Sequence, residues 1–245
     1  MNEECGIAVF VKTPELSPVK TRLGAQIGQS RAVRFYELSC SVIAENLQSL
    51  NEENSNLFPY WAVAEEEGLR SERWSSLPRL YQGTGELGER LHTIYSTLLK
   101  RHGAAVLLGA DSPQLSTYDL IEAIRILLGK DDGSSAQKSV IGRASDGGFY
   151  LFGSSIDFPK EFWTSIPYSV SDTEKRLSAK ALDFGRVYSL KEEFDVDTAD
   201  ELKELLMRFP ECCEEAKAHS DLMYWLLSLP HEVFTRSTST RQNNG

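Results

Sequence analysis

The chain has 245 residues, of which 41% are hydrophobic and 25% are charged, and its formal net charge is −10. This composition is typical of a soluble globular protein, and the length suits one large α/β domain or two small ones. The negative charge disfavours a nucleic-acid or anionic-membrane surface, and no apolar run approaches the ~20 residues of a membrane span. The acidic start, MNEEC, is unlike a signal peptide, so we expect a cytoplasmic protein.

The cysteines show no metal-ligand spacing. They are Cys5, Cys40, Cys212 and Cys213, with no CxxC pair and no nearby histidine in a ligand pattern. We therefore expect free thiols in a reducing compartment and no zinc site.

Hydrophobic periodicity predicts strands that alternate with helices, which is typical of an α/β fold. Strands are predicted at 6–11, 57–64, 80–82, 104–108, 139–142, 149–153 and 187–190. Helices are predicted at 30–50, 69–74, 87–101, 117–128, 171–182, 199–208 and 211–229. Segments without regular structure are predicted at 12–23, 129–137 and 158–167.

The C-terminal part is predicted to be an addition to the main domain. Pro210 should break the chain, which divides it into a domain at 1–209, an appended helix at 210–234 and a disordered polar tail at 235–245. The appended helix could pack against the domain or form a dimer, and we favour packing within the chain. The sequence leaves monomer and homodimer open.

A basic segment follows the first predicted strand. Residues 11–35 contain five basic residues and one acidic residue, in a chain that is acidic as a whole. Lys12, Lys20 and Arg22 lie in the loop at the carboxyl end of the strand, where an α/β sheet binds its ligands. This charge pattern favours an anion such as phosphate, although a solvated loop with scattered bases is the alternative.

Asp111 stands at the end of another buried strand, in the sequence AAVLLGADSP. An acid at this position is where a metal-phosphate site would be built, but Asp-Ser-Pro is also ordinary turn chemistry. Asp195 and Asp197 alternate on an extended segment and so should point to one side of the backbone. Such carboxylates suit Mg²⁺ or Mn²⁺, the alternative being a polar turn before a helix.

Two glycine-rich segments carry weaker signals. Gly83, Gly85 and Gly88 form a GxGxxG pattern, but the strand before them is too short for a dinucleotide-binding fingerprint. The loop could still face a nucleotide through its backbone N–H groups. Asp146, followed by Gly147 and Gly148, would suit a hairpin turn or a site with a carboxylate beside two unhindered amides.

Five short motifs occur in a fixed order along the chain. They are KxP…VKTRL at 12–23, QG…LGxR at 82–90, GxDSP at 109–113, DGGFYL at 146–151 and DxDT at 195–198. Together they resemble an uncharacterised bacterial family of glycosyltransferases in the nucleotide-diphospho-sugar transferase superfamily, some labelled as arsenosugar-biosynthesis glycosyltransferases. The chain is also similar to molybdenum-cofactor guanylyltransferases and 2-phospholactate guanylyltransferase. The resemblance covers about residues 5–208.

The resemblance implies a GT-A-type fold, a Rossmann-like three-layer α/β/α domain with a mostly parallel mixed sheet. It also implies site residues. The implied catalytic residues are Asp111, Asp146 and Lys20. The implied ligands of Mg²⁺ or Mn²⁺ are Asp111, Asp195 and Asp197. The implied nucleotide- and substrate-binding residues are Lys12, Lys20, Thr21, Arg22, Gln82, Gly83, Arg90, Ser112, Gly147 and Gly148.

Resemblance and charge placement together predict a metal-dependent transferase that acts on a nucleotide or a nucleotide sugar. A glycosyltransferase would move a sugar from a nucleoside-diphosphate sugar to a small acceptor. A nucleotidylyltransferase would join a nucleoside triphosphate to a phosphorylated small molecule and release pyrophosphate. Both reactions use the same phosphate cradle, and a non-catalytic nucleotide-binding protein is the third possibility. The base, sugar and acceptor are not specified by the sequence.

Overall fold

A computed structural model describes residues 4–129, 137–212 and 216–235. Its strands in chain order are β1 (Glu4–Val11), β2 (Leu57–Val63), β3 (Arg79–Tyr81), β4 (Gly103–Gly109), β5 (Lys138–Arg143), β6 (Phe149–Ser154) and β7 (Arg186–Ser189). Its α-helices are α1 (Thr21–Ile27), α2 (Gln29–Glu53), α3 (Leu87–His102), α4 (Thr117–Leu128), α5 (Lys160–Thr164), α6 (Thr173–Leu182), α7 (Ala199–Cys212), α8 (Lys217–Ser228) and α9 (His231–Thr235).

These strands form one mixed sheet in the order β3-β2-β1-β4-β6-β5-β7. All neighbouring pairs are parallel except the two that involve β6. Strand order reverses at β1, which lies between β2 and β4, with Phe10 opposite Gly109 in the register. The loops after β1 and β4 therefore leave the sheet side by side, at the topological switch point where open α/β sheets bind ligands.

Helices pack on both faces of the sheet because the central strands are apolar on both sides. Ile7 and Val9 of β1 face a core shared with α2 and α4, whereas Ala8 faces a core shared with α3, α5 and α6. The resulting three-layer α/β/α arrangement confirms the predicted fold class.

The strands agree with the predicted ones to within two residues at each end, but several helices differ. α1 begins at Thr21, inside the segment predicted as a loop. Pro14 and Pro18 restrict their own backbone and that of the residue before each of them, so they do not prevent a helix that begins at Thr21. The helix predicted at 69–74 is instead two 3₁₀ turns, Glu67–Arg70 and Glu72–Trp74. α5 lies in the segment predicted to be irregular.

Pro210 does not end the preceding helix where we predicted. α7 continues through it to Cys212, because the proline removes one backbone hydrogen bond near the end of a helix that is otherwise continuous. The helix predicted at 211–229 corresponds to α8, which begins at Lys217. Residues 130–136 of the predicted loop and 236–245 of the predicted tail lie outside the described ranges.

The C-terminal helix packs on the same chain. Leu222 and Leu226 of α8 are fully buried in a cluster with Phe35 and Leu38 of α2. This is the packing within the chain that we favoured from the sequence. In the parts of the chain that the structure describes, no helix is long and apolar enough to cross a membrane.

Gly147 is held where only glycine fits. Its φ is +92°, and a Cβ at this position would overlap the carbonyl oxygen of Ser171. Gly28 has the same φ but faces open space. We predict that Gly28→Ala lowers the free energy of unfolding by about 1–2 kcal/mol through backbone strain alone. Gly147→Ala should cost about 1–3 kcal/mol more, because the neighbouring backbone must also move.

Urea unfolding of both variants measures this difference. Equal losses would show that the Ser171 backbone yields freely and that the close approach is unimportant for stability.

Candidate functional site

A cleft of about 620 Å³ opens where β1 and β4 end. Its lining contains four cationic and three acidic side chains, namely Lys12, Lys20, Arg22, Arg90, Asp111, Asp197 and Glu86. The excess of cations is notable in a chain with a net charge of −10. The cleft therefore contains one more cationic than acidic side chain, although the protein as a whole is acidic.

Lys20 is the buried cation at the centre of the cleft. Its Nζ lies 2.6 Å from Oδ1 of Asp111 and 2.9 Å from Oδ1 of Asp197, and its side chain is 3% exposed. Burial alone would lower the pKa of Lys20, but the two aspartates outweigh burial and raise it, so the ammonium stays charged. Its backbone is left-handed, with φ +48°, in the residue before α1.

The two aspartates that hold this ammonium come from distant parts of the chain. Asp111 follows β4, and Asp197 precedes α7, where Glu201 accepts hydrogen bonds from the amides of Asp197 and Thr198. The amide of Val196 also donates to the carbonyl of Asp111 at 3.0 Å, which joins the two loops directly. Both carboxylates remain about 40% exposed and so face the cleft.

Asp195 lies behind this pair rather than in the cleft lining. Ser112 Oγ donates to Oδ1 of Asp195 at 2.7 Å. Burial, followed by the charge of Asp111, raises the pKa of Asp195 to about 6. The structure brings Asp111, Asp195 and Asp197 into one region, with Asp195 hydrogen-bonded to Ser112 and absent from the cleft lining.

A buried ion pair fixes the segment that carries these aspartates. Glu193, with a side chain that is 1% exposed, accepts two hydrogen bonds from Nη2 of Arg208 at 2.8 and 2.9 Å. Lys191 and Gln114 also contact its carboxylate, at 2.7 and 3.3 Å. Gln114 lies three residues after Asp111, so Glu193 connects both acidic loops to α7.

The loop after β1 is held by the connection between β2 and β3. The amide of Thr13 donates to Glu65 at 2.9 Å, and Trp74 Nε1 donates to the Thr13 hydroxyl at 3.1 Å. Arg73 forms an ion pair with Glu15 further along the loop. No local sequence pattern predicts these supports, because the paired residues lie more than 50 positions apart.

Lys12 and Arg22 have less buried positions than Lys20. The Lys12 side chain is exposed, while its backbone N–H donates to the hydroxyl of Tyr36 at 2.8 Å. Arg22 is 78% exposed and lies 4.0 Å from Asp197, and Thr21 begins α1 beside it. These residues form the outer wall of the cleft.

Gln82 has a structural part in the same wall. Its Nε2 donates to the carbonyls of Ala62 and Val11, at 2.8 and 3.3 Å, and so joins the ends of β2 and β1. Arg90 Nε donates to the carbonyl of Gly85 at 2.8 Å. Gly83 has a positive φ of +83° and is not part of the cleft lining.

The glycine-rich loop leads into a helix start that is already capped. The carboxylates of Glu86 and Glu89 accept the first backbone N–H groups of α3 reciprocally. Two acidic caps occupy the position that a dinucleotide pyrophosphate would need.

Asp146 closes its own turn between β5 and β6. Its Oδ1 accepts a hydrogen bond from the amide of Gly148 at 2.8 Å, and the carbonyl of Gly147 accepts from Glu174. Asp146, Gly147 and Gly148 are all absent from the residues that line the cleft. Asp146 is nevertheless near enough to contribute to the raised pKa of Asp195.

The residues partly fit a divalent cation. Within 4–129, 137–212 and 216–235, no group of three or more histidine, cysteine or acidic residues is arranged to hold a metal ion. Asp111 and Asp197 do offer two half-exposed carboxylates, and Mg²⁺ commonly uses one or two carboxylates together with substrate phosphates. The predicted use of Mg²⁺ or Mn²⁺ stays a prediction.

Comparison with known proteins identifies the family. A family described as "Uncharacterized protein conserved in bacteria" (DUF2064) matches residues 46–170, just over half of the chain. The chain belongs to this family. The matched region of this DUF2064 member includes Gln82, Asp111 and Asp146, whereas Lys20 and Asp197 lie outside it. No curated protein matches the chain.

Solved structures share its fold. A protein from Desulfovibrio desulfuricans G20, provisionally assigned as a nucleotide-diphospho-sugar transferase, is 22% identical, with a TM-score of 0.75 over 93% of this chain and 98% of its own. A CMP:2-keto-3-deoxy-manno-octonic acid synthetase bound to CTP is 9% identical, with a TM-score of 0.51 over 85% and 99%. At these identities the similarity shows a nucleotide-diphospho-sugar transferase-like fold.

The raised pKa of Asp195 predicts a pH dependence of stability. Its folded pKa of about 6 exceeds the value of 3.8 for an unperturbed aspartate, so ionisation above pH 4 disfavours the folded state. In metal-free buffer, wild-type protein should lose on the order of 2 kcal/mol relative to Asp195→Asn between pH 4.5 and pH 7. Urea unfolding across this range measures the difference, and a constant difference would contradict the raised pKa.

Glu193 should matter more for stability than a surface acid that contacts the same arginine. Glu193→Gln leaves Arg208 without its buried carboxylate and should lower the free energy of unfolding by about 2–4 kcal/mol. Glu204 also contacts Arg208, at 3.5 Å, but is half exposed. The matched control Glu204→Gln should change the free energy by less than ~0.5 kcal/mol. Similar losses in the two variants would show that burial does not strengthen the Glu193 contact.

Proposed function

We propose that this chain is a metal-dependent transferase that binds a nucleotide or a nucleotide sugar. The observation that supports this is the Lys20 ammonium held between Asp111 and Asp197, in a cation-lined cleft at the ends of β1 and β4. This combination offers positive charge for phosphates and carboxylates for a divalent cation at the same place. The fold shared with nucleotide-diphospho-sugar transferase-like proteins is compatible with such a site.

The reaction we favour transfers a sugar from a nucleoside-diphosphate sugar to a small acceptor. The bond between the anomeric carbon and the diphosphate breaks, the acceptor hydroxyl oxygen bonds to the anomeric carbon in its place, and the hydroxyl proton passes to solvent. Lys20 would contact the diphosphate oxygens and offset the charge that grows as the nucleoside diphosphate leaves. Lys12 and Arg22 would orient the phosphates from the outer wall of the cleft.

When bound, Mg²⁺ or Mn²⁺ would supply further neutralisation of the phosphate oxygens. Asp111 and Asp197 are the carboxylates placed to hold it. Asp195, hydrogen-bonded to Ser112, would support Asp111 from behind rather than face the substrate. Asp146 lies outside the cleft lining, so its predicted catalytic part stays a prediction.

Nucleotidyl transfer is the second candidate, and the number of cations favours it. Lys12, Lys20, Arg22 and Arg90 would suit the higher charge of a nucleoside triphosphate. In that reaction a phosphorylated acceptor would attack the α-phosphorus and pyrophosphate would leave.

A ligand panel tests the proposal. We expect one nucleoside-diphosphate sugar, with Mg²⁺ or Mn²⁺, to raise the melting temperature, since a ligand at 100 times its Kd stabilises the folded state by about 2.7 kcal/mol. Asp111→Asn should abolish the shift, while Asp221→Asn, an exposed aspartate on α8, should retain it. Chromatography of the products then separates nucleoside diphosphate from pyrophosphate.

The outcomes divide the alternatives. A shift with one nucleoside triphosphate and release of pyrophosphate would favour nucleotidyl transfer. Binding without turnover of any sugar or triphosphate would favour a non-catalytic nucleotide-binding protein. No shift with any member of the panel would contradict the proposal.

A further inference from the structure

The position between the two cleft aspartates is taken by a cation of the chain itself. The Lys20 ammonium contacts Oδ1 of Asp111 and Oδ1 of Asp197 at hydrogen-bond distance, and almost none of the side chain is exposed. These are the same two carboxylates that the proposed function gives to Mg²⁺ or Mn²⁺. In the free protein they are therefore already neutralised in part by an internal charge.

A divalent cation that approached these carboxylates alone would meet the ammonium at close range. The Lys20 ammonium lies 2.6 and 2.9 Å from the two carboxylates, and repulsion between close cations is strong where water is partly excluded. The ammonium also keeps its place through the backbone, since Lys20 directly precedes α1 and the Lys20 carbonyl accepts the N–H of Gly24 at 2.7 Å. The metal alone should thus bind weakly.

A phosphate group changes this balance. An ammonium has three donors, and a phosphate oxygen in the cleft offers Lys20 a third anionic partner. Lys12, Arg22 and Arg90 line the same cleft and draw a polyphosphate to it. Once the ammonium is shared with phosphate, the carboxylates of Asp111 and Asp197 are freer to hold a metal ion, and the phosphate supplies ligands of its own.

We infer that Lys20 is an internal counter-ion that makes divalent-metal binding conditional on a bound phosphate group. This inference rests on the proposed function for the identity of the two ligands. Because coupling between two ligands is reciprocal, the metal should strengthen phosphate binding by the same factor as phosphate strengthens metal binding. The expected factor lies in the usual range of such couplings, about 5–150-fold.

The decisive experiment measures Mn²⁺ alone, by electron paramagnetic resonance titration of the full chain without nucleotide. Lys20→Met removes the competing cation, so we expect Mn²⁺ to bind at least about fivefold more tightly than in wild type. Lys20→Arg retains the charge and should keep Mn²⁺ binding weak. Lys175→Met removes an exposed cation of α6 that lies outside the cleft lining, and should leave the Mn²⁺ affinity within about twofold of wild type.

A gain in Mn²⁺ affinity distinguishes the two roles of Lys20. If Lys20 only stabilised the structure of the site, its removal would weaken Mn²⁺ binding. Lys20→Gln serves as the second variant if Lys20→Met does not fold. Inorganic pyrophosphate in metal-free buffer, followed by calorimetry, should bind more weakly to either variant than to wild type. Unchanged or weaker Mn²⁺ binding in both Lys20→Met and Lys20→Gln would overturn the inference.

This test is separate from that of the transferase itself. Tighter Mn²⁺ binding in the variants, with no nucleotide bound in the ligand panel, would support the counter-ion and remove the proposed function. A metal-dependent shift with a nucleotide sugar, together with equal Mn²⁺ affinities in wild type and variants, would retain the function and remove the counter-ion.

Discussion

The electrostatic balance around one buried ammonium determines how this cleft is built. Lys20 is almost wholly excluded from water, and a buried cation is tolerated only where anions are fixed close to it. Asp111 and Asp197 fulfil that requirement from opposite ends of the chain. The fold must therefore bring the loops after β1 and β4 and the segment before α7 to one point, and hold them there.

The sheet positions two of these three segments, and contacts between the loops position the third. Parallel pairing of β1 with β4 sets their loops side by side, but it does not fix the segment before α7. That segment is tied by the Val196 amide to Asp111 and by Glu193 to both Gln114 and Arg208. The buried ion pair between Glu193 and Arg208 therefore helps to fix the position of Asp197 beside Lys20. This layered support is what a site needs to hold its charges in fixed geometry.

The sequence was most informative where periodicity and strand position carry the signal. The apolar runs predicted every strand, and the position of Asp111 at the end of a buried strand predicted its place in the cleft. The alternating Asp195 and Asp197 were correctly placed near Asp111, but their different environments were not predictable. Burial beside Ser112 separates Asp195 from Asp197, and burial depends on long-range packing that a local pattern does not contain. The same limit explains why Glu193 and Trp74 were missed.

The region that matches the family covers only part of the cleft. The matched region contains Asp111 but neither Lys20 nor Asp197, so the charge balance of the cleft is completed by segments before and after it. Those segments complete the ion pairs of the cleft, because Asp111 without Lys20 would lose its contact at 2.6 Å, and Lys20 without Asp197 would keep only one of its two carboxylate partners. The two ends of the chain must therefore fold onto the central region before Lys20 can contact both aspartates. On this physical ground, the functional unit extends at least from β1 to the start of α7.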